Sequence, residues 1–435
     1  MSDQPQFTVK VDQNKYLPVG GREVHAIVSV ESSGAAPAGG AATEAAEVII
    51  IDTSGSMSYP DSKLHAAIEA AQVAVDTLRD GVHFAVIAGS NDAKLVYPGA
   101  PPLVRADATT RSEARAALAR LTAHGGTAIG SWLRLADQLF DAHQDGIRHA
   151  ILLTDGKNQH ETPAQLDAVL QRCSGRFVCD CRGVGTDWEV AELRKIASAL
   201  LGGVDIVADP ADLVADFQAM TEAAMGKAVA DVMLRVWTPR TAAVKFVKQV
   251  MPSVEDLTGR RVEAAPQAGD YPIGAWGAES RDYHVCVEVP PAAVGTELRA
   301  AWIKLVLPGT ADRAEQVLAT GNVLAQWTDD EAQSTKINPR VAHYTGQAEL
   351  AQAIQEGLAA RESGDLDTAT ARLGRAVRLA DEAGNDAITS MLRKVVDVVD
   401  PATGTVRLRK NVDKADVMSL DTRSTKTVRT RRGEG

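Results

Sequence analysis

The 435-residue sequence is poor in aromatic side chains, in cysteine and in positive charge. Aromatic residues make up 4% against 45% apolar, so the cores must be packed mainly from small aliphatic side chains. Four cysteines (Cys173, Cys179, Cys181, Cys286) in so long a chain do not make a disulfide framework. A formal net charge of −11, with no broad basic face, excludes general nucleic-acid binding. No run approaches the roughly 20 uninterrupted apolar residues of a membrane span. The opening MSDQPQFTVK lacks the basic start and apolar stretch of a secretion signal, so the expected location is the cytoplasm. The G-x-x-x-x-G-K-[ST] phosphate loop is also missing, which removes the chain from the P-loop ATPases.

What is present divides into stretches of different period. Residues 7–31 hold two strand-like runs, FTVKV and EVHAIVSVE, separated by Asn14, Pro18, Gly20 and Gly21. A small-residue linker, 32–46, follows. From 47 to 226 strands such as EVIIID, HFAVIA, RHAILLT, RFVCDCRGVG and VDIVA alternate with helical patterns. This predicts an α/β domain, a doubly wound and mainly parallel sheet, with ligands at the carboxyl ends of its strands. From 227 to 330, runs such as AVKFVKQVM and DYHVCVEV predict an antiparallel β-sandwich. Two strands alone are marginal, so residues 1–31 are expected to join that sandwich, with the α/β domain inserted between. A separate hairpin lying on the α/β domain is the alternative. Residues 340–399 read as a helical hairpin turning near Gly364–Asp365, and 400–435 as a disordered basic tail.

The chemistry concentrates where EVIIID ends, in Asp52-Thr53-Ser54-Gly55-Ser56. Asp52, Ser54 and Ser56 offer one carboxylate and two hydroxyls, all hard oxygens suited to a small cation, and Gly55 lets the loop curl. Taken alone, such a loop serves equally as a helix cap. Placed after an apolar strand and before a long helix, D-x-S-x-S resembles the metal-ion-dependent adhesion site of von Willebrand factor type A domains, over about residues 47–226. That family completes the site with a threonine from a later loop and an aspartate after a later strand. The resemblance gives these roles to Thr127 in HGGTAIG and Asp155 in ILLTDGKNQ, and implies that Asp52 or Asp155 stands behind the direct ligands. Gly126 and Gly156 would shape the loops beside them.

Three neutral hydroxyls and at most two carboxylates leave a divalent ion electrophilic, with a position for an acidic oxygen from outside. The expected cofactor is Mg2+, then Mn2+, with Ca2+ the poorest match. The expected partner is a protein offering an Asp or Glu. His124 and His160 read as rim residues, and no pattern near the three loops suggests a general base, so no enzyme is expected. Cys173, Cys179 and Cys181 lack the paired knuckles of a zinc site and read as buried thiols. In the tail, Thr422, Thr425, Thr427 and Thr430 lie among Arg423, Lys426, Arg429, Arg431 and Arg432. This is either a solvated basic end or a segment for a Ser/Thr kinase, with Thr425 and Thr427 the first candidates. It resembles threonine-rich tails read by forkhead-associated domains in bacterial kinase signalling. The chain therefore reads as a bacterial-type scaffold that captures a protein through a metal. Its rivals are an accessory subunit of an ATPase or chelatase-like complex, and a phospho-regulated substrate.

Overall fold

A computed structural model describes residues 5–33, 44–309 and 313–429. The chain divides into two compact units: Ala35–Asp231 with Gly274–Gly277, and Pro5–Gly34 with Val232–Ile273 and Ala278–Gly435. The N-terminal strands β1 (Gln6–Gln13), β2 (Tyr16–Leu17) and β3 (Glu23–Ser33) belong to the second unit.

The first unit is built on β4 (Ala45–Asp52), β5 (His83–Gly89), β6 (Ala93–Tyr97), β7 (Val104–Arg105), β8 (Ile147–Thr154), β9 (Val178–Val184) and β10 (Val204–Val207). They form one sheet of order β10-β9-β8-β4-β5-β6, with β7 also on β5. The pairs from β10 to β5 are parallel, while β6 and β7 run antiparallel to β5. Helices α1 (Ser62–Thr77), α2 (Ala108–Leu118), α3 (Ile129–Phe140), α4 (Pro163–Cys173), α5 (Val190–Ala199) and α6 (Leu213–Met225) make the connections. Every residue of central β4 is buried, as a strand covered on both faces must be. On one face Ile49 and Ile51 pack with Ala67, Ala70, Ala71 and Ala74 of α1 and Phe217 of α6. The three- and four-residue spacing of these alanines gives α1 a flat apolar stripe that lets it sit close to the sheet.

An ion triad also crosses this sheet. His149 of β8 places Nδ1 2.8 Å from Glu47 Oε1 of β4 and Nε2 3.0 Å from Asp180 Oδ2 of β9. Burial alone would strip the proton from this imidazole, but the two carboxylates outweigh burial and raise its pKa to about 10. Burial pushes the fully enclosed Glu47 carboxyl up, and His149 opposes that.

In the second unit follow β11 (Lys227–Trp237), β12 (Ala243–Met251), β13 (Glu255–Asp256), β14 (Val262–Ala265), β15 (Ala268–Gly277), β16 (Ser280–Glu288), β17 (Glu297–Leu307) and β18 (Gln316–Trp327), the first part of β11 and the end of β15 counting with the first unit. One sheet has the order β1-β3-β16-β12-β13 and the other β14-β15-β11-β17-β18-β2. The N-terminal strands thus pair inside these sheets, β3 lying antiparallel to β16. Sequence periodicity does not pick out β15, because AGDYPIGAWG carries Pro272 and three glycines that read as turn signals.

The C-terminal part contains α7 (Glu331–Ser334), α8 (Pro339–Ser363), α9 (Leu366–Ala383), α10 (Asp386–Val395), the hairpin of β19 (Val396–Asp400) with β20 (Thr405–Leu408), and α11 (Lys414–Arg423). The turn between α8 and α9 falls at Gly364, in the left-handed region at φ +84°, and Asp365 caps α9. A third helix and a strand pair extend this region beyond the simple hairpin.

The expectation of a disordered tail over 400–435 is corrected as far as Arg429. Val406 and Leu420 are buried with Leu373, Leu392 and Val396, so the polar composition conceals a packed strand and helix. Thr422 is buried, Thr427 Oγ1 donates to the Val250 carbonyl at 2.7 Å, and Val254 N donates to the Thr425 carbonyl at 2.8 Å. Thr425 and Thr427 therefore sit half-buried in an ordered segment, and 430–435 lie outside the described residues. Among the described residues no helix is long and apolar enough to cross a membrane.

The His149 triad gives the fold a pH signature. Its folded pKa, about 10, lies above the roughly 6.5 of a free histidine, so its contribution is whole below about 6.5 and fades as pH climbs through 10. Urea unfolding at pH 6, 8 and 10 should show falling stability, and His149→Gln should lose about 3–5 kcal/mol at pH 6 and flatten that slope. A variant with the wild-type slope would show that the triad is not its source.

Candidate metal centre

Three loops meet beyond the carboxyl ends of β4, β5 and β8. Asp52 closes β4 opposite Gly89 of β5. Thr53 ties the next step down by donating from N (2.7 Å) and Oγ1 (3.0 Å) to the Gly89 carbonyl. Ser54 N then donates to Asp52 Oδ1 at 2.7 Å, the turn that curls the D-x-S-x-S loop back on its own carboxylate. The second loop is stitched to the first by His124 N to Thr53 O (2.7 Å) and Gly55 N to Gly125 O (2.9 Å). It is also anchored to β5. Trp132 of α3 lies on Gly89, where any Cβ would run into the indole, and its Nε1 donates to Ser90 O at 2.9 Å. The third loop reaches the second through Gln159 N and His160 N, both 3.1 Å from the Thr127 carbonyl. Gly126 stays bare because a Cβ there would meet the His160 ring.

These ties bring the oxygens together. Ser54 Oγ and Ser56 Oγ are 3.0 Å apart, and Ser56 Oγ donates to Asp155 Oδ1 at 2.6 Å. A Cβ on Gly156 would lie 3.3 Å from Thr127 Oγ1 and 3.5 Å from Ser56 Oγ, so both hydroxyls flank this glycine. Asp52, Ser54, Thr127 and Asp155 are buried and Ser56 is exposed, which leaves one open side. Thr154 serves Asp52 rather than the cluster, donating to its Oδ2 at 2.6 Å. Burial pushes the Asp52 carboxyl up to about 6, against the Thr154 and Ser54 hydrogen bonds that favour its charge. The donor set is one of hard oxygens and fits a small divalent cation of the Mg2+ class.

Sequence reasoning missed Lys63. Its side chain, only 8% exposed, places Nζ 2.8 Å from Asp155 Oδ2 and 3.6 Å from Asp187 Oδ2. It sits in the first turn of α1, where the helix dipole disfavours a cation. A basic residue in so unfavourable a position was the available signal that an acid lies opposite. Asp187, in GVGTDW, turns toward Lys63, and α5 begins after Glu189. His124 and His160 are exposed, and Cys173, Cys179 and Cys181 are buried free thiols.

Sheet order and loop placement together define a von Willebrand factor type A module carrying further sheets and C-terminal helices. The chain belongs to the von Willebrand factor type A family. Residues 46–205 match the family model of the type A domain, and 378–424 match that of the type A C-terminal domain. The solved von Willebrand factor type A protein of Catenulispora acidiphila is 53% identical, with 99% of this chain and 98% of that one covered and a TM-score of 0.94. The ArnB paralog VWA2 of Sulfolobus acidocaldarius shares the fold at 15% identity (97% and 98% covered, TM-score 0.61). An uncharacterized protein of Synechocystis sp. is 30% identical over 216 residues, 48% of this chain and 49% of that protein. The human inter-alpha-trypsin inhibitor heavy chain H4 is 33% identical over 160 residues, 34% of this chain and 17% of its own. The chain thus spans half or less of these two curated relatives.

Removing the ammonium should expose how much Asp155 depends on it. Lys63→Met, unfolded by urea in the presence of a chelator, is expected to lose about 3–5 kcal/mol because a carboxylate is left buried without a partner. An unchanged midpoint would show that the ion pair does not hold the loop.

Proposed function

We propose that the chain is a non-catalytic, metal-dependent protein-binding module. In this reading Asp52, Ser54, Ser56, Thr127 and Asp155 hold a divalent cation, Mg2+ by preference, and a partner protein offers it an Asp or Glu carboxylate. The observation that carries the reading is the hydrogen-bonded run from Ser54 Oγ through Ser56 Oγ to Asp155, beside a Thr127 hydroxyl brought in from another loop. Type A domains commonly mediate metal-dependent protein interactions, which agrees with it.

The chain's own groups prepare the site. Ser54 N and Thr154 hold both oxygens of Asp52, so the first loop is fixed before a cation arrives. Lys63 offsets one of the two buried carboxylates, leaving a single negative charge for two positive ones. The bound ion would supply an electrophilic position, and the exposed side at Ser56 is where an outside carboxylate can approach. A hydroxyl-rich set neutralises the ion less than a carboxylate cage would, which is what capture of an acidic side chain needs.

Mg2+ at 100 times its dissociation constant should stabilise the wild-type chain by about 2.7 kcal/mol in thermal unfolding. Asp52→Ala, and the gentler Ser54→Ala/Ser56→Ala pair, should lose that gain while keeping the wild-type circular dichroism. Partner recovery in pull-downs from native cells should fall with EDTA and with either variant. Recovery indifferent to chelator and to both variants would sink the proposal.

A further inference from the structure

A second constellation lies in the second unit, on one face of the sheet formed by β3, β16 and β12. His25 stands directly opposite Cys286, Glu23 is two residues before His25 on the same face of β3, and Phe246 of β12 lies on the other side of Cys286. His25 Nε2 is 3.8 Å from Cys286 Sγ and 3.6 Å from Glu23 Oε2, and the three ligand atoms lie within 4.8 Å of one another. Donors around a tetrahedral zinc at 2.0–2.3 Å sit roughly 3.5 Å apart. From this geometry we infer that Glu23, His25 and Cys286 form a binding site for a borderline-soft divalent cation of the zinc class, separate from the oxygen-lined loop of the α/β unit.

Three further features fit this assignment. His25 Nδ1 faces His284 Nε2 at 3.1 Å, and such a contact requires one bare and one protonated nitrogen. With the proton on His25 Nδ1, its Nε2 lone pair faces Cys286 and Glu23, the orienting arrangement that metal-bound histidines use. Glu23 divides its oxygens: Oε1 takes the Lys245 ammonium at 2.5 Å, while Oε2 is the one turned toward His25. Exposure grades across the site, with Cys286 and His284 buried, His25 32% exposed and Glu23 46% exposed. Three protein ligands and one solvent-facing side give zinc its fourth position for water. Binding displaces the Cys286 thiol proton to solvent, forms the metal–thiolate bond and joins β3 to β16.

A second mixed cluster among the described residues, Glu44, His83 and His143 in the first unit, is less suited. There Arg105 Nε donates to His83 Nε2 at 3.3 Å, which leaves the ring proton on the nitrogen that would have to bind metal.

Cobalt is the probe, because a thiolate ligand gives Co2+ a near-ultraviolet charge-transfer band that oxygen-only sites lack. The reduced full chain, titrated with Co2+ in saturating Mg2+, should develop this band and lose it on adding Zn2+. Cys286→Ser should abolish the band, and His25→Gln should weaken Co2+ binding at least tenfold. Asp52→Ala, in the other site, should retain the band, which separates this assignment from the one above. His284→Ala should weaken binding about 10–100-fold without moving the band. The assignment is overturned if the wild-type chain gives no band or if Cys286→Ser keeps it; unweakened binding in His284→Ala overturns the positioning role. Circular dichroism and thermal unfolding in EDTA confirm that each variant is folded.

Discussion

Two carboxylates, Asp52 and Asp155, are held entirely out of water at the carboxyl edge of a parallel sheet, and the surroundings of that edge answer to them. An isolated buried charge is unaffordable in a low-dielectric interior, so each oxygen must find a donor or a cation. Asp52 finds Ser54 N and the Thr154 hydroxyl, and Asp155 finds the Ser56 hydroxyl and the Lys63 ammonium. Neither donor set holds without the loops that carry it, and the loops hold because Gly89 leaves room for Trp132 to pin the second against β5. A sequence with few aromatics thus places a tryptophan where a single large side chain fixes most geometry.

Lys63 changes what the site means energetically. One ammonium at 2.8 Å from Asp155 offsets one of the two buried acids, at the expense of some attraction for an incoming divalent ion. In the proposed reading this trades affinity for a preformed site. Ion binding then requires no refolding of the three loops, and capture of a partner is not burdened with ordering them.

The legible part of the sequence was the part in which composition and position agree. EVIIID followed by D-x-S-x-S is an apolar strand running into a polar turn, and the α/β alternation places that turn at the ligand-binding edge. Thr127 and Asp155 came from family resemblance, since no periodicity links residues 75 and 103 positions downstream of Asp52. Other features were hidden for identifiable reasons. β15 carries proline and glycine in a strand, where local signals mimic turns. The 405–429 segment looked disordered because its few apolar side chains, Val406 and Leu420 among them, gain a core only from helices far back in the sequence. His25 and Cys286 are 261 residues apart, and only the pairing of β3 with β16 makes them neighbours.

The two cation sites inferred here are distinguished by their ligand chemistry. Serine, threonine and carboxylate oxygens present a hard, weakly neutralising set, which favours Mg2+ and leaves it attractive to an outside acid. A thiolate beside an imidazole is softer, neutralises its ion more completely and favours zinc, so it suits a staple between strands better than a docking point. The backbone expresses the same division. The oxygen site is assembled from loops, where residues can turn toward a partner, whereas the sulfur site is set into paired strands whose register fixes the ligands before any ion arrives.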